Sequence, residues 1–145
     1  MDDAAHLNEA IAEARAGLAE GGIPIGSVLV RGGEIIGRGH NRRAQDGDQT
    51  AHAEIDCLRN AGRQRTLRDT VLYSSLMPCY LCAGAVVQVG LPRVVVGESR
   101  TFTGSRAFME AHGVEVVDLD DGRCVALMRD FITARPELWA EDIGR

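Results

Sequence analysis

The chain contains no lysine. All 16 of its basic residues are arginine, set against 21 aspartates and glutamates for a formal net charge of −5. That balance argues against a nucleic-acid partner, because phosphate backbones are bound through clustered Lys and Arg. One local cluster, Arg59, Arg63, Arg65 and Arg68, is diluted by Asp56 and Asp69 and reads as a solvated helix end and loop. Long apolar runs are also missing. None nears the roughly 20 residues of a membrane-spanning helix, so no membrane association is expected. The start, Met1-Asp2-Asp3-Ala4-Ala5-His6, lacks the positive and apolar regions of a signal peptide, which predicts a cytoplasmic protein. Repeats, linkers and low-complexity stretches are absent, so residues 1–145 are expected to form one domain. Cysteine is scarce, and in a reducing compartment the 4 present do not suggest two disulfides.

The patterning that is present is αβ. Leu7, Ile11, Ala14 and Leu18 mark one face of a helix that Gly21-Gly22 and Pro24 stop. Ile25 to Val30 and Glu34 to Gly39 read as a hairpin across Arg31-Gly32-Gly33. Arg42 to Gln49 reads as a polar loop, with Thr50 as N-cap of a helix from His52 to about Asn60. Thr70 to Ser75 reads as a strand, and Pro78 opens a helix from Cys79 to about Val89. Arg93–Val96 and Val114–Val117 read as further strands, Ser105–His112 and Asp121–Ala134 as helices, with a terminal segment after Pro136. A hairpin followed by alternating strands and helices predicts a three-layer α/β/α sandwich around a mixed five-stranded sheet.

The chemistry is concentrated in His52-Ala53-Glu54 and Pro78-Cys79-Tyr80-Leu81-Cys82. One imidazole and two thiols hold a zinc ion and leave its fourth position open to water. Both halves fall at helix starts, whose unpaired N–H groups and dipole favour the thiolate form of Cys79 and Cys82. Glu54 is too close in sequence to His52 to share the ion comfortably, and is placed to move protons to and from the water. This ordered pair is the H-x-E…P-C-x-x-C signature of zinc deaminases. One zinc per chain, held by His52, Cys79 and Cys82 with Glu54 as acid and base, predicts hydrolytic deamination. A closed structural site with Cys57 or Cys124 as a fourth ligand is the alternative. Both read otherwise as small core residues, and Cys57 should point away from the ion.

With these motifs the chain resembles the cytidine deaminase superfamily, and more narrowly fungal-type cytosine deaminase. The resemblance extends to Gly21 through Gly26, Gly37-Arg38-Gly39-His40-Asn41, Cys79 to Gly84, Pro92 to Glu98, and the tail from Arg135-Pro136 through Gly144. It implies a homodimer acting on a small free nucleobase, with cytosine to uracil as the expected reaction and the tail, about 136–145, acting as a lid. It further implies that Asn41, the backbone N–H of Ala53, and Asp142 contact the base edge. Phe102 and Trp139 would cover the ring, with Ile25 and Leu76 lining the pocket. Taken without the resemblance, Asn41 could serve only a turn, Phe102 and Trp139 only the core, and Asp142 only a charged surface. His40 reads as structural, and His6 and His112 as surface residues.

Two positions depart from the fungal pattern. Ala140 stands where those enzymes carry a large aromatic, which would loosen the pocket, and Met77 replaces a small polar residue before Pro78. The competing readings are a tRNA adenosine deaminase, which the chain resembles at Ala51 to Ile55 and Cys82 to Ala85, and a deaminase of guanine or another aminated heterocycle. From a different class, a non-catalytic zinc-stabilised binding module would leave Glu54 dispensable.

Overall fold

The structure, a computed structural model, describes residues 2–145. Its centre is a sheet in which strand β1 (Gly26–Arg31) lies between β2 (Glu34–His40) and β3 (Thr70–Ser74), followed by β4 (Arg93–Val96) and β5 (Glu115–Asp118). β1 runs antiparallel to both of its neighbours, and β3, β4 and β5 run parallel. Side chains alternate across this sheet with period two. Leu29, Leu72, Val94 and Val96 face one side, against Cys57 of helix α3 (Ala53–Ala61), Ala83 and Val86 of α4 (Tyr80–Val89), and Met109 of α5 (Arg106–Ala111). Val28, Val30, Val71, Tyr73 and Val95 face the other, against Leu7, Ala10 and Ile11 of α1 (Asp3–Ala19) and Cys124 of α6 (Gly122–Ala134). The expected three-layer sandwich on a mixed five-stranded sheet is what forms. Among the described residues no helix is long and apolar enough to cross a membrane.

Several local expectations give way to tertiary contacts. Leu18 is exposed, and Gly17 takes the inward position instead, with the His40 ring lying where a Gly17 side chain would go. Arg42 to Gln49 is not all loop: Arg43–Asp46 forms a short helix, α2, closed by Gly47 in the left-handed conformation. Thr50 does not cap α3, because both its hydroxyl and its N–H bond to Asp48 Oδ1, at 2.8 Å each. His52 occupies the cap. His6 is partly buried, not superficial: its ring stacks on Tyr73 at 5.0 Å. His112 is exposed as expected. The terminal segment is helix α7 (Pro136–Asp142), with proline at its first turn.

Two features of β2 set the position of α3. Gly37 and Gly39 carry no side chains on the face where α3 lies. A Cβ on Gly39 would stand 2.5 Å from Cys57 N and 2.6 Å from Asp56 Oδ2, so only glycine permits this approach. Beyond Gly39, buried His40 is gripped from both sides, with Nδ1 2.9 Å from Glu13 Oε1 and Nε2 2.9 Å from Glu20 Oε1. A ring facing two carboxylates donates from both nitrogens only as imidazolium. Burial opposes that charge, but Glu13 and Glu20 outweigh it and hold the pKa of His40 above its ordinary value. The backbone N–H of His40 donates to Asp56 Oδ2 at 3.1 Å, tying β2 to α3 a second time.

Gly39→Ala is expected to cost about 1–3 kcal/mol through overpacking against α3, read as a lowered urea midpoint. For His40, a raised folded-state pKa gives stability that is fully present below the unfolded value of about 6.5 and is lost as pH rises through the folded value. The stability gap between wild type and His40→Gln should therefore narrow as pH is raised above neutrality, and a gap that widens instead would contradict the imidazolium assignment.

Candidate active site

The first turns of α3 and α4 converge at one end of the sheet. His52 is the N-cap of α3 and Cys79 the N-cap of α4, both with extended backbone and neither using its side chain to cap. Caps are ordinarily Ser, Thr, Asp or Asn, whose oxygens bond back to the helix. Here the cap side chains are turned toward each other instead. Cys79 Sγ lies 3.4 Å from His52 Nδ1, and the donor atoms of His52, Cys79 and Cys82 all lie within 4.8 Å of one another. Zinc bonds of about 2.3 Å to sulfur and about 2.0 Å to nitrogen, meeting at a tetrahedral angle, place S and N about 3.5 Å apart. The donor set therefore fits zinc in spacing and in chemistry. Cys57 and Cys124 lie in the two sheet-face cores, outside this group. The expected three-ligand set is what assembles, and no four-ligand closed site forms among the described residues.

The electrostatics prepare one of the three ligands for metal, while His52 and Cys82 must each give up a proton on binding. The Cys79 thiol is pulled down to about 4, chiefly because Cys82 donates its S–H to it, with burial opposing and His52 assisting. Cys82 is driven up by the same shared proton and by burial. His52 rises to about 9: burial works against its charge, but the Cys79 sulfur and Asp142 outweigh it. Glu54, buried beside them, is raised to about 7 by desolvation first and by Cys79 second. Thiolate is the metal-binding form of cysteine, so the site already favours one ligand in that form.

A tight pocket of about 10 Å³ opens onto this group, room for about one water as the chain stands. Expected residues Ile25, Asn41, His52, Glu54, Leu76, Cys79, Phe102, Trp139 and Asp142 all line it. Ala53 is fully buried at the start of α3, where its N–H is one of the helix's unpaired first-turn donors. Phe102 and Trp139 meet edge to face, 6.0 Å between ring centres. Asn41, wholly buried, accepts from Arg43 N at 3.0 Å and donates from Nδ2 to Asp142 Oδ1 at 3.0 Å. Asp142 Oδ1 also lies 3.8 Å from His52 Nε2. Burial lifts the pKa of Asp142, while His52 and Asn41 work the other way.

Two lining residues stand outside the sequence-based set, Met77 and Ile143. Ile143 follows Trp139 by four positions, so helical periodicity through the tail would have found it. Met77, a departure from the fungal pattern in the sequence, forms part of the wall. Ala140, the other departure, does not line the pocket. Trp139, Asp142 and Ile143 occupy the inward face of α7 and its end, and Ala140 lies off that face. The arginine-rich segment lies elsewhere: Arg63 and Arg65 border a separate groove with Leu58, Leu67 and Val89, sharing no residue with the pocket.

Comparison with known proteins places these features. A family model described as the cytidine and deoxycytidylate deaminase zinc-binding region matches residues 1–98, which hold all three candidate ligands. Cytosine deaminase of Candida albicans is 42% identical over an alignment of 147 residues, covering 99% of this chain and 98% of the relative. A tRNA-specific adenosine deaminase of Streptococcus pyogenes is 40% identical over 96 residues, covering 64% of this chain and 60% of the relative. Among solved structures, guanine deaminase from Nitrosomonas europaea superposes with a TM-score of 0.77 at 25% identity, covering 89% of this chain and 84% of that one.

The zinc assignment is open to direct measurement. Metal analysis after dialysis should find about one zinc per chain, as expected of a single His-Cys-Cys site. Cys57→Ala and Cys124→Ala should retain it, whereas Cys79→Ala or Cys82→Ala should lose it. Zinc retained in the Cys79 variant would move the site away from the two helix starts.

Proposed function

Because the chain belongs to the cytidine and deoxycytidylate deaminase family, we propose that it is a zinc-dependent hydrolase that deaminates a free nucleobase, converting cytosine to uracil and ammonia. The observation that carries this reading is a single small pocket that joins the His-Cys-Cys group and Glu54 to a buried polar edge, Asn41 with Asp142. A cytosine deaminase similar over nearly the full length of both chains supports the choice of base.

His52, Cys79 and Cys82 would hold the zinc, which when bound would supply Lewis-acid activation of a water, able to bring its pKa from 15.7 to about 7. The chain's own residues supply the rest. Asn41 and Asp142 orient the base by its edge, and the N–H of Ala53 meets its carbonyl. Phe102 and Trp139 cover the ring faces, and Ile25 and Leu76 close the sides against bulk water. Glu54 takes a proton from the attacking water and delivers it to the ring nitrogen next to the amino-bearing carbon. A second transfer through Glu54 protonates the departing amine. Water thus supplies the carbonyl oxygen, the C–N bond breaks, and ammonia leaves.

Residues 1–145 act in this reading as one domain, with the segment from about 136 as the lid. The protein works as a cytoplasmic homodimer in pyrimidine salvage. Tyr80, Leu81 and Val89 on α4, with Phe108 on α5, expose apolar surface that suits a subunit contact. A tRNA substrate fits less well. The chain is acidic, and its C-terminal helix packs over the pocket where a polynucleotide would have to enter.

Zinc-loaded protein offered cytosine, 5-methylcytosine, cytidine, guanine, adenine and a tRNA anticodon stem-loop should release ammonia fastest from cytosine. Turnover of the stem-loop alone would overturn the free-base reading. Glu54→Gln should keep its zinc yet lose roughly 10²–10⁴-fold or more in kcat, the usual worth of a positioned acid–base group. Undiminished turnover in that variant would remove Glu54 from the mechanism.

A further inference from the structure

The polar edge of the pocket is assembled from two parts of the chain that meet only in the fold. Asn41 follows β2, and Asp142 ends α7. One residue bonds to both parts. The backbone N–H of Arg43 donates to Asn41 Oδ1 at 3.0 Å, and its guanidinium Nη1 donates to Glu141 Oε2 at 2.9 Å, with Nη2 held by Gln49 Oε1. Asn41 Nδ2 closes the circuit on Asp142, the neighbour of Glu141 in sequence. Backbone, amide, carboxylate, helix end and guanidinium therefore form one ring, and the Arg43–Glu141 bond is its outer link.

That link adds a polar hold at the outer side of α7 to the apolar packing beneath it. The helix is only 7 residues long, and its N-cap, Arg135, makes no side-chain capping bond. Isolated helices shorter than about 12–15 residues are marginal in water, so α7 is held by what it docks against. Trp139 and Ile143 supply the apolar part of that docking. The Arg43 side chain is 13% exposed and that of Glu141 56%, and a pair of that kind contributes little to global stability. Docking of a short terminal helix is itself a local equilibrium that can lie near zero, and there a term of that size shifts the balance.

We propose that Arg43 is a positioning residue: its guanidinium clasps Glu141 to hold α7 against the pocket, while its N–H fixes Asn41, so that Asn41 and Asp142 present one rigid polar edge. The inference rests on the pocket being the substrate site, but its test need not. Trp139 is the only tryptophan in the chain and sits on α7, so its fluorescence reports docking whether or not a substrate is turned over.

Zinc-loaded Arg43→Gln, Glu141→Gln and the double reversal Arg43→Glu/Glu141→Arg would be compared with wild type. Each single variant should raise the acrylamide quenching constant of Trp139 about two-fold or more. Each should also raise KM for cytosine about three- to five-fold, while kcat changes by less than about two-fold. The double reversal should recover both readouts. Glu141 is exposed, so its variant tests the clasp even if Arg43→Gln folds poorly. Unchanged quenching and KM in Glu141→Gln would overturn the proposal, as would losses that follow a falling melting temperature and are not recovered by the reversal. If wild type turns over none of the bases while the single variants still free Trp139 and the reversal restores it, the clasp stands and the substrate assignment falls.

Discussion

Everything in the pocket depends on two helix starts aimed at one point. α3 and α4 each give up a conventional N-cap, worth about 1 kcal/mol apiece, so that His52 and Cys79 can turn toward each other. The unpaired N–H groups at these starts, with their partial positive charge, do the work that a capping oxygen would otherwise share. They make a buried thiolate tolerable and leave first-turn donors such as Ala53 N–H without a helix partner. Pro78 suits this use, since a proline before a helix start has no N–H to satisfy.

The convergence is enforced from behind. α3 can approach the sheet only because Gly37 and Gly39 leave the β2 surface bare, and Asp56 then collects the His40 N–H and Arg42 Nε on a single oxygen. His40, pinned by Glu13 and Glu20, couples α1 to the end of the same strand. Asn41 is the next residue, and its N–H donates to Ile25 O. A side chain in the pocket is thus anchored by charge on one side and backbone on the other. The tail has no such backing. Asp142 reaches its position through the Asn41 bond, through Trp139 against Phe102, and through the Arg43 link, all across the open side of the site.

The sequence makes the sheet legible because its central strands are short apolar, β-branched runs buried on both faces: Val94 and Val95 fall into opposite cores, as do Leu29 and Val30. The zinc group is legible because its spacing is local to two helix turns. Features decided at long range were not. Leu18 fits the helical period of α1, but the register is set by Gly17 under His40, a contact from 23 residues away in the chain. Thr50 has a capping side chain, yet Asp48 captures it first. A polar stretch from Arg42 to Gln49 gives no periodic signal, and α2 forms there because Arg43 and Gln45 find partners on α7 and α1. His6 has no pattern of its own and is drawn inward by Tyr73.

The two departures from the fungal pattern have different consequences in space. Ala140, expected to loosen the pocket, is not itself among the residues that line it. Met77 does the opposite. It sits in the wall between Leu76 and Pro78 and fills space against Gly104, where any added Cβ would come within 2.7 Å of its Cγ. A thioether at that place offers only a weak acceptor, so strong side-chain polar contacts in the pocket fall to Asn41, Glu54 and Asp142. Asp142 comes to the pocket on α7, while Asn41 is held independently, by its N–H to Ile25 O and by Arg43 N–H on its Oδ1. Seating of the last helix therefore decides whether the Asn41–Asp142 edge is complete.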